Sequence, residues 1–331
     1  LTLAERARAL HERALVWDNH ACLPLRAEDD FLPELQRFRR AGVNAVSVNV
    51  GFGDMDWRQN LPILAHFRAW LARRPEDYLL VREVADIDRA KETGRLAVMF
   101  DLEGMDAIGD DLNLIQLYYD LGVRWMLVAY NKANRAGSGC QDAEDRGLTA
   151  FGRKAIDEMA RVGMVLCLSH TGHRTAREAL EYSPNPVIFS HSNPRGLHEH
   201  ERNIPDDLMA ACAATGGVVG INGIGLFLGP GNRADAELIV RHIDHAVERI
   251  GVRHVGISLD YVFDDAELAA YIAANPDKFP PHLGYGAGMA MAGPERFPEI
   301  TEGLLRLGYD DASVMAILGG NWRRVAEAVW K

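Results

Sequence analysis

Eight apolar runs rich in β-branched residues recur along the chain, with segments of helical periodicity between them. Nearly continuous hydrophobicity is typical of parallel strands that are covered on both faces. The segments 148–162 and 236–250 instead repeat apolar residues with the 3.6-residue period of a helix. This alternation predicts an α/β fold, a (β/α)8 TIM-type barrel. The eight runs span residues 14–20, 44–52, 95–104, 123–131, 163–170, 185–192, 216–225 and 253–260.

Composition and charge narrow the function classes. The chain has no linker-like stretch, so we expect a single domain over residues 1–331. A net charge of −11 argues against a nucleic-acid partner, and no apolar run reaches the roughly 18 residues of a membrane span. Four scattered cysteines and a charged opening segment, unlike a signal peptide, favour a cytoplasmic location. We interpret the Pro/Gly-rich stretch 262–298 as a long loop that shapes the substrate site.

Polar side chains occur where the predicted strands end. The carboxyl ends of barrel strands meet at one mouth, so residues far apart in the sequence converge there. Histidine, cysteine and carboxylate side chains are zinc ligands, and buried carboxylates are costly unless they are paired or bound to metal. One such residue alone is more often structural, but their coincidence at one mouth predicts a metal site. The strand-end candidates are His20, Cys22, Glu103, Tyr130, Asn131, His170, His191 and Asp260.

The chain contains seven motifs that are specific when taken together: DNHACLP, DLEG, LSHTGHRT, PVIFSHSNP, ERNIPDD, VGISLD and GGNWRRV. Through these motifs it resembles the membrane (renal) dipeptidase family of zinc peptidases, within the amidohydrolase superfamily, nearly from end to end. The resemblance implies a barrel with two zinc ions at its mouth. It also implies hydrolysis of small dipeptides, including dipeptides with a D-residue at the C-terminal position. We further expect a homodimer.

The resemblance also implies roles for the metal ligands. His20 and position 22 would bind one zinc ion, Glu103 would bridge both ions, and His170 with His191 would bind the other. Asp260 would hold the bridging water and shuttle its proton.

Cys22 departs from the family pattern, which usually has an aspartate at this position. Zinc accepts a thiolate at about 2.3 Å and a carboxylate oxygen at about 2.0–2.2 Å. Two interpretations therefore stay open. Either Cys22 is a thiolate ligand, or the first site is weak and the protein binds one zinc ion.

Three residues are candidates for contacts with the substrate. By resemblance, Arg202 would bind the free carboxylate of the dipeptide; the alternative is a surface ion pair with Asp206 or Asp207, which would contribute little stability. Tyr130 is placed to donate a hydrogen bond to the developing oxyanion. Asn131 is a candidate for orienting the substrate.

Two rival functions fit the same residues. The protein would be an amidohydrolase that acts on another amide, such as an N-acyl amino acid or a cyclic amide, or a non-catalytic binding barrel whose metal site has decayed. Against decay, the other ligand candidates, Asp260 and Arg202 are all present.

Overall fold

A computed structural model describes residues 2–331 and contains one ten-stranded sheet. All its strand pairs are parallel, and every predicted apolar run contributes a strand. The strands are β1 Trp17–Cys22, β2 Ala45–Phe52, β3 Tyr78–Leu80, β4 Leu96–Glu103, β5 Val123–Leu127, β6 Val165–Cys167, β7 Ile188–Phe189, β8 Val218–Ile221, β9 Val255–Ile257 and β10 Tyr261–Val262.

The sheet closes on itself through its last run. The strand order is β10-β1-β2-β4-β5-β6-β7-β8-β9, and β3 adds to the start of β4. Strand β9 pairs with β8, whereas β10, three residues further along the chain, pairs with β1. Residues 253–262 therefore pair with β8 on one side and with β1 on the other, which closes the sheet. This closure confirms the predicted barrel and brings all the strand ends to one mouth.

Helices cover the outside of the barrel. The predicted helical segments 148–162 and 236–250 form the sixth and tenth helices, α6 (Ala150–Val162) and α10 (Ala236–Ile250). Helix α6 begins after Thr149, whose hydroxyl accepts a hydrogen bond from the Gly152 amide, and it ends at Gly163 with φ 94°. Within residues 2–331, none of the helices is both long and apolar enough to cross a membrane. The helices are α1 Leu3–Arg13, α2 Gln36–Arg40, α3 Trp57–Ala72, α4 Val84–Glu92, α5 Asn113–Asp120, α6 Ala150–Val162, α7 His173–Tyr182, α8 Asp206–Ala214, α9 Gly225–Leu228, α10 Ala236–Ile250, α11 Asp265–Ala274, α12 Phe297–Arg306, α13 Asp311–Met315 and α14 Asn321–Val329.

The stretch 262–298 differs from the prediction of a loop, because it contains helix α11. Asp264 caps this helix by accepting a hydrogen bond from the Glu267 amide at 3.0 Å. Alanine and leucine, which favour helix, fill the positions that follow. The prolines and glycines that suggested a loop begin only after Asn275.

The amino-terminal end of the barrel is filled by an apolar cluster that includes Trp17, Trp125 and Trp322. Trp322, on α14, packs against the backbones of Gly220 and Gly256, where an added Cβ would approach its ring to 2.9 and 2.6 Å. Glycine at these two positions leaves room for the indole. The filled end leaves the carboxyl ends of the strands as the place for a site.

Candidate metal centre and its cleft

Glu103, the last residue of β4, lies at the centre of the mouth. Its Oε1 atom is 3.3 Å from Nε2 of His20 on β1. Its Oε2 atom is 3.1 Å from Nε2 of His170, after β6, and 3.3 Å from Nε2 of His191, after β7. The two carboxylate oxygens therefore face different imidazoles.

A second group overlaps the first through His20. Nε2 of His20 lies 3.4 Å from Sγ of Cys22 and 3.4 Å from Oδ1 of Asp260. The Cys22 sulfur and the same Asp260 oxygen are 3.7 Å apart. The structure thus brings together all six residues that the sequence proposed as metal ligands or proton carrier.

The three histidines are held by the ring nitrogen that faces away from Glu103. Nδ1 of His20 lies 3.2 Å from the Asp101 carboxylate, and Nδ1 of His170 lies 2.7 Å from Oδ1 of Asn131. Nδ1 of His191 lies 2.7 Å from Oγ of Ser190. Partners of this kind orient metal-binding imidazoles and leave Nε2 as the ligand atom.

Electrostatics keep two of these rings neutral. Burial, together with the Arg202 guanidinium, lowers the pKa of His170 to about 3. Burial also lowers the pKa of His191 well below its ordinary value. For His20, burial acts in the same direction, but interactions with Cys22, Asp101 and Glu103 outweigh it and hold the pKa well above the ordinary value.

Burial raises the pKa values of the two remaining groups, Asp260 and Cys22. The pKa of Asp260 is raised to about 7, and the Glu103 carboxylate adds to the rise. Burial raises the pKa of the Cys22 thiol to about 12. Without a metal ion, Cys22 therefore carries its proton, and binding a metal would release it.

The cluster fits a metal ion because acceptor atoms face one another on the side formed by Glu103, His170 and His191. Oε2 of Glu103 is buried and has no hydrogen-bond donor. Nδ1 of His170 donates its proton to the Asn131 oxygen, so Nε2 of His170 presents a lone pair to the Glu103 carboxylate. The distance between Nε2 of His170 and Nε2 of the neutral His191 is 3.0 Å. A cation among these atoms would satisfy them all.

Backbone strain is concentrated at this mouth. Among residues 2–331, four non-glycine residues have a left-handed backbone, and three of them are Asn131 (φ 59°), His170 (φ 63°) and Asp260 (φ 59°). Such conformations cost free energy and are typical of functional sites, where the surrounding structure maintains them.

Arg202 is a buried cation, 2% exposed, that has no carboxylate partner among the described residues. Its Nη2 atom donates to the His191 carbonyl at 2.9 Å and lies 3.3 Å from Nε2 of His170. The expected alternative, an ion pair with Asp206 or Asp207, is wrong, because Asp206 pairs with Arg249 and Asp207 with Arg177. An unpaired buried guanidinium is costly unless an anion can reach it.

Tyr130 and Asn131 occupy different places. Tyr130 lines the cleft above the cluster, and its ring stacks on His170 with centroids 3.9 Å apart. Asn131 lies behind His170; its side chain contacts that ring and donates to the Lys278 carbonyl at 3.0 Å. The amide of Asn131 is therefore used to hold the metal-facing histidine.

The sequence interpretation missed the residues that orient the ligands. Asp101 and Ser190 are the clearest examples. A signal for Asp101 was available, because side chains two positions apart on a strand share a face, and Asp101 precedes Glu103 by two positions in DLEG. No comparable pattern singles out Ser190.

Comparisons with known proteins agree with this geometry. Residues 4–270 match the membrane dipeptidase family (Peptidase family M19). An uncharacterized dipeptidase of Schizosaccharomyces pombe is 38% identical over 177 residues, which cover 52% of this chain and 42% of that protein. The chain spans less than half of the length of the fission-yeast relatives that it matches.

Two solved structures share the fold over almost the whole chain. An amidohydrolase from Pseudomonas aeruginosa superimposes with a TM-score of 0.88 and 27% identity, covering 98% of this chain and 99% of that one. A metallo peptidase from Rhodobacter sphaeroides, liganded with a phosphinate mimic of the dipeptide L-Ala-D-Ala, has a TM-score of 0.77 and 21% identity, with 96% and 99% covered.

Proposed function

The chain belongs to the membrane dipeptidase family (Peptidase family M19), and from this premise we propose that it is a metal-dependent dipeptidase. The observation that carries the proposal is the convergence of His170 and His191 on an otherwise unpartnered oxygen of Glu103, beside Asp260 and at the floor of an open cleft.

We propose zinc as the metal and two ions as its number. Glu103 would bridge them, with His170 and His191 on one side and His20 and Cys22 on the other. Bound zinc supplies Lewis-acid polarisation of the scissile carbonyl and lowers the pKa of the attacking water. The imidazoles, the carboxylate and the thiolate are all ligands that zinc takes.

Asp260 is the proposed proton carrier. Burial raises its pKa to about 7, close to the pH at which a general base both accepts and returns a proton efficiently. Asp260 would take the proton of the attacking water and deliver it to the leaving amine.

Tyr130 is the proposed oxyanion donor. It lines the cleft next to His170, and burial raises its pKa well above the ordinary value, so its hydroxyl stays protonated and able to donate. A donor placed where negative charge develops stabilises the transition state.

Arg202 is the proposed partner of the substrate carboxylate. Its guanidinium has no acidic partner among the described residues, and its Nε atom makes no hydrogen bond. Phe227, whose ring lies 5.4 Å from Cζ of Arg202, lines the cleft, so the cation lies directly behind the cleft wall. The contact of Asn131 with His170 supports a role in positioning that histidine rather than the predicted role in orienting the substrate.

The proposal is tested by metal analysis and hydrolysis in one preparation. Protein purified without chelator is assayed with L-Ala-D-Ala, the dipeptide mimicked in the Rhodobacter sphaeroides structure, and with L-Ala-L-Ala. We expect bound zinc, and hydrolysis that is lost on chelation and restored by zinc. Zinc-loaded protein that cleaves N-acyl amino acids or cyclic amides but no dipeptide would instead support the rival amidohydrolase. Absence of zinc binding would support the decayed barrel. The homodimer and the cytoplasmic location stay predictions.

A further inference from the structure

One wall of the cleft above the metal-ligand cluster is apolar. Helix α11 supplies Leu268, Tyr271 and Ile272 to it. These residues lie three and four positions apart and therefore share one face of the helix. The chain that follows α11 adds Phe279 and Tyr285 to the same wall.

The aromatic rings of this wall support one another. Phe52, at the end of β2, contacts Tyr271 and Tyr130 with centroid distances of 5.0 and 5.1 Å. Phe279 contacts Tyr285 at 5.3 Å in an edge-on arrangement. Contacts of this geometry are favourable beyond the area they bury. The wall is therefore formed before any ligand arrives.

The floor of the cleft has the opposite character. Cys22, Glu103, His170 and Asp260 all line it. A reactive polar floor beside an apolar wall suits a ligand whose scissile amide lies on the floor and whose side chain lies against the wall.

The acidic residues at the rim do not change this character. Asp264 and Glu267 also line the cleft, but both pair with Arg26, whose guanidinium lies 3.6 Å from Asp264. Arg26 also pairs with Glu28 and Asp30, so it offsets only part of the charge at the rim. The side chains of Asp264 and Glu267 are 22% and 49% exposed, so water and salt screen the remaining charge and its attraction for a cationic side chain is small.

We propose that the cleft selects dipeptides that carry a large apolar side chain, of the size of leucine or phenylalanine, over dipeptides with only small or charged side chains. The inference rests on the proposed dipeptidase function and names the substrate class of that same site.

The test compares kcat/KM within two series, Xaa-Ala and Ala-Xaa, in which Xaa is Ala, Leu, Phe, Asp or Lys, using the zinc-loaded protein. We expect Leu or Phe to exceed Ala by about 10- to 100-fold in at least one series, which corresponds to burying a side chain of that size. Asp and Lys should not exceed Ala.

A variant assigns the preference to the α11 wall. Leu268→Asp places a charge on that wall and should lower the Leu-to-Ala ratio at least fivefold. The ratio is taken within one preparation, so a smaller folded fraction cancels. Leu307→Asp is the matched control, because Leu307 is 53% exposed and does not line the cleft, and its ratio should match the unmodified protein.

The outcomes separate the two proposals. Hydrolysis of Ala-Ala with no preference for Leu or Phe in either series would overturn this inference and leave the dipeptidase proposal standing. A preference that Leu268→Asp does not reduce would overturn the assignment to α11. Zinc-loaded protein that cleaves no member of either series would overturn the dipeptidase proposal, and this inference with it.

Discussion

Asn131 accepts a 2.7 Å hydrogen bond from Nδ1 of His170, and both residues have a left-handed backbone, with φ of 59° and 63°. The backbones are also connected, because the Asn131 amide donates to the His170 carbonyl at 3.3 Å. The carboxyl ends of β5 and β6 are thus locked together in a strained conformation that turns Nε2 of His170 toward Glu103.

Removing the Asn131 side chain should weaken metal binding. We choose Asn131→Gly because glycine accepts the left-handed backbone and isolates the loss of the side-chain amide. The zinc affinity, measured by competition with a chelator, should fall about 10- to 100-fold, the usual cost of losing an orienting partner. Asn131→Asp keeps an acceptor for His170 and should lose much less. Equal losses in the two variants would mean that His170 is oriented by other contacts.

Cys22 should contribute to a second zinc site. Its sulfur is 3.4 Å from Nε2 of His20, within the group formed by His20, Cys22 and Asp260. Cys22→Ser should lower the zinc content from two ions to one per chain, measured by elemental analysis, because a serine hydroxyl is a far poorer ligand than a thiolate. Cys212→Ser, a cysteine change on α8 whose sulfur contacts the Val187 carbonyl and none of the ligand groups, is the control and should keep both ions. If the unmodified protein binds only one zinc ion, the interpretation with a weak first site and no thiolate ligand would be correct.

Asp260 should act in proton transfer. Asp260→Asn keeps the shape of the side chain but cannot take a proton, so kcat on a cleaved dipeptide should fall about 10²- to 10⁴-fold. Zinc content, measured on the same sample, should change little. Activity within a few-fold of the unmodified protein would assign Asp260 a structural role.

Arg202 should matter for the carboxylate of the substrate. Arg202→Met removes the charge and should lower kcat/KM on L-Ala-D-Ala by about 100-fold or more, since losing one partner of a desolvated charge pair costs about 2–5 kcal/mol. The corresponding C-terminal amide, which has no charge to pair, should lose much less. Equal losses on both substrates would indicate that Arg202 serves to hold His170 and His191.

His242, away from the cleft, should make the free energy of unfolding smaller in acid, because its protonation favours the unfolded chain. Burial lowers its pKa to about 4, and its Nε2 atom donates to the Leu228 carbonyl at 2.8 Å. The imidazole of the unfolded chain takes up a proton more readily than the buried one. The free energy of unfolding is therefore unaffected by His242 above pH about 6.5 and falls by up to about 3 kcal/mol as the pH drops toward 4. His242→Gln, which can still donate, should flatten this part of the unfolding free energy against pH. His282→Gln, at an exposed position, should leave the curve unchanged.

The sequence by itself determined the barrel and the residues at its mouth. The eight predicted strands follow from apolar runs, and the helices α6 and α10 follow from periodicity. Both signals depend only on residues close together in the chain. Once the strands are parallel and the sheet is closed, their ends must converge, and so His20, Glu103, His191 and Asp260 can be grouped from the sequence alone.

Tertiary structure alone decided how those residues work. Contacts with Asp101, Asn131 and Ser190 decide which ring nitrogen each histidine turns to the centre. The contacts of Asp101 with His20 and of Asn131 with His170 each connect different strands. The apolar wall requires Tyr271 of α11 to meet Phe52 of β2. Arg202 is unpaired because Asp206 and Asp207 bind other arginines. Such contacts depend on distances across the folded chain, which local patterns in the sequence do not determine.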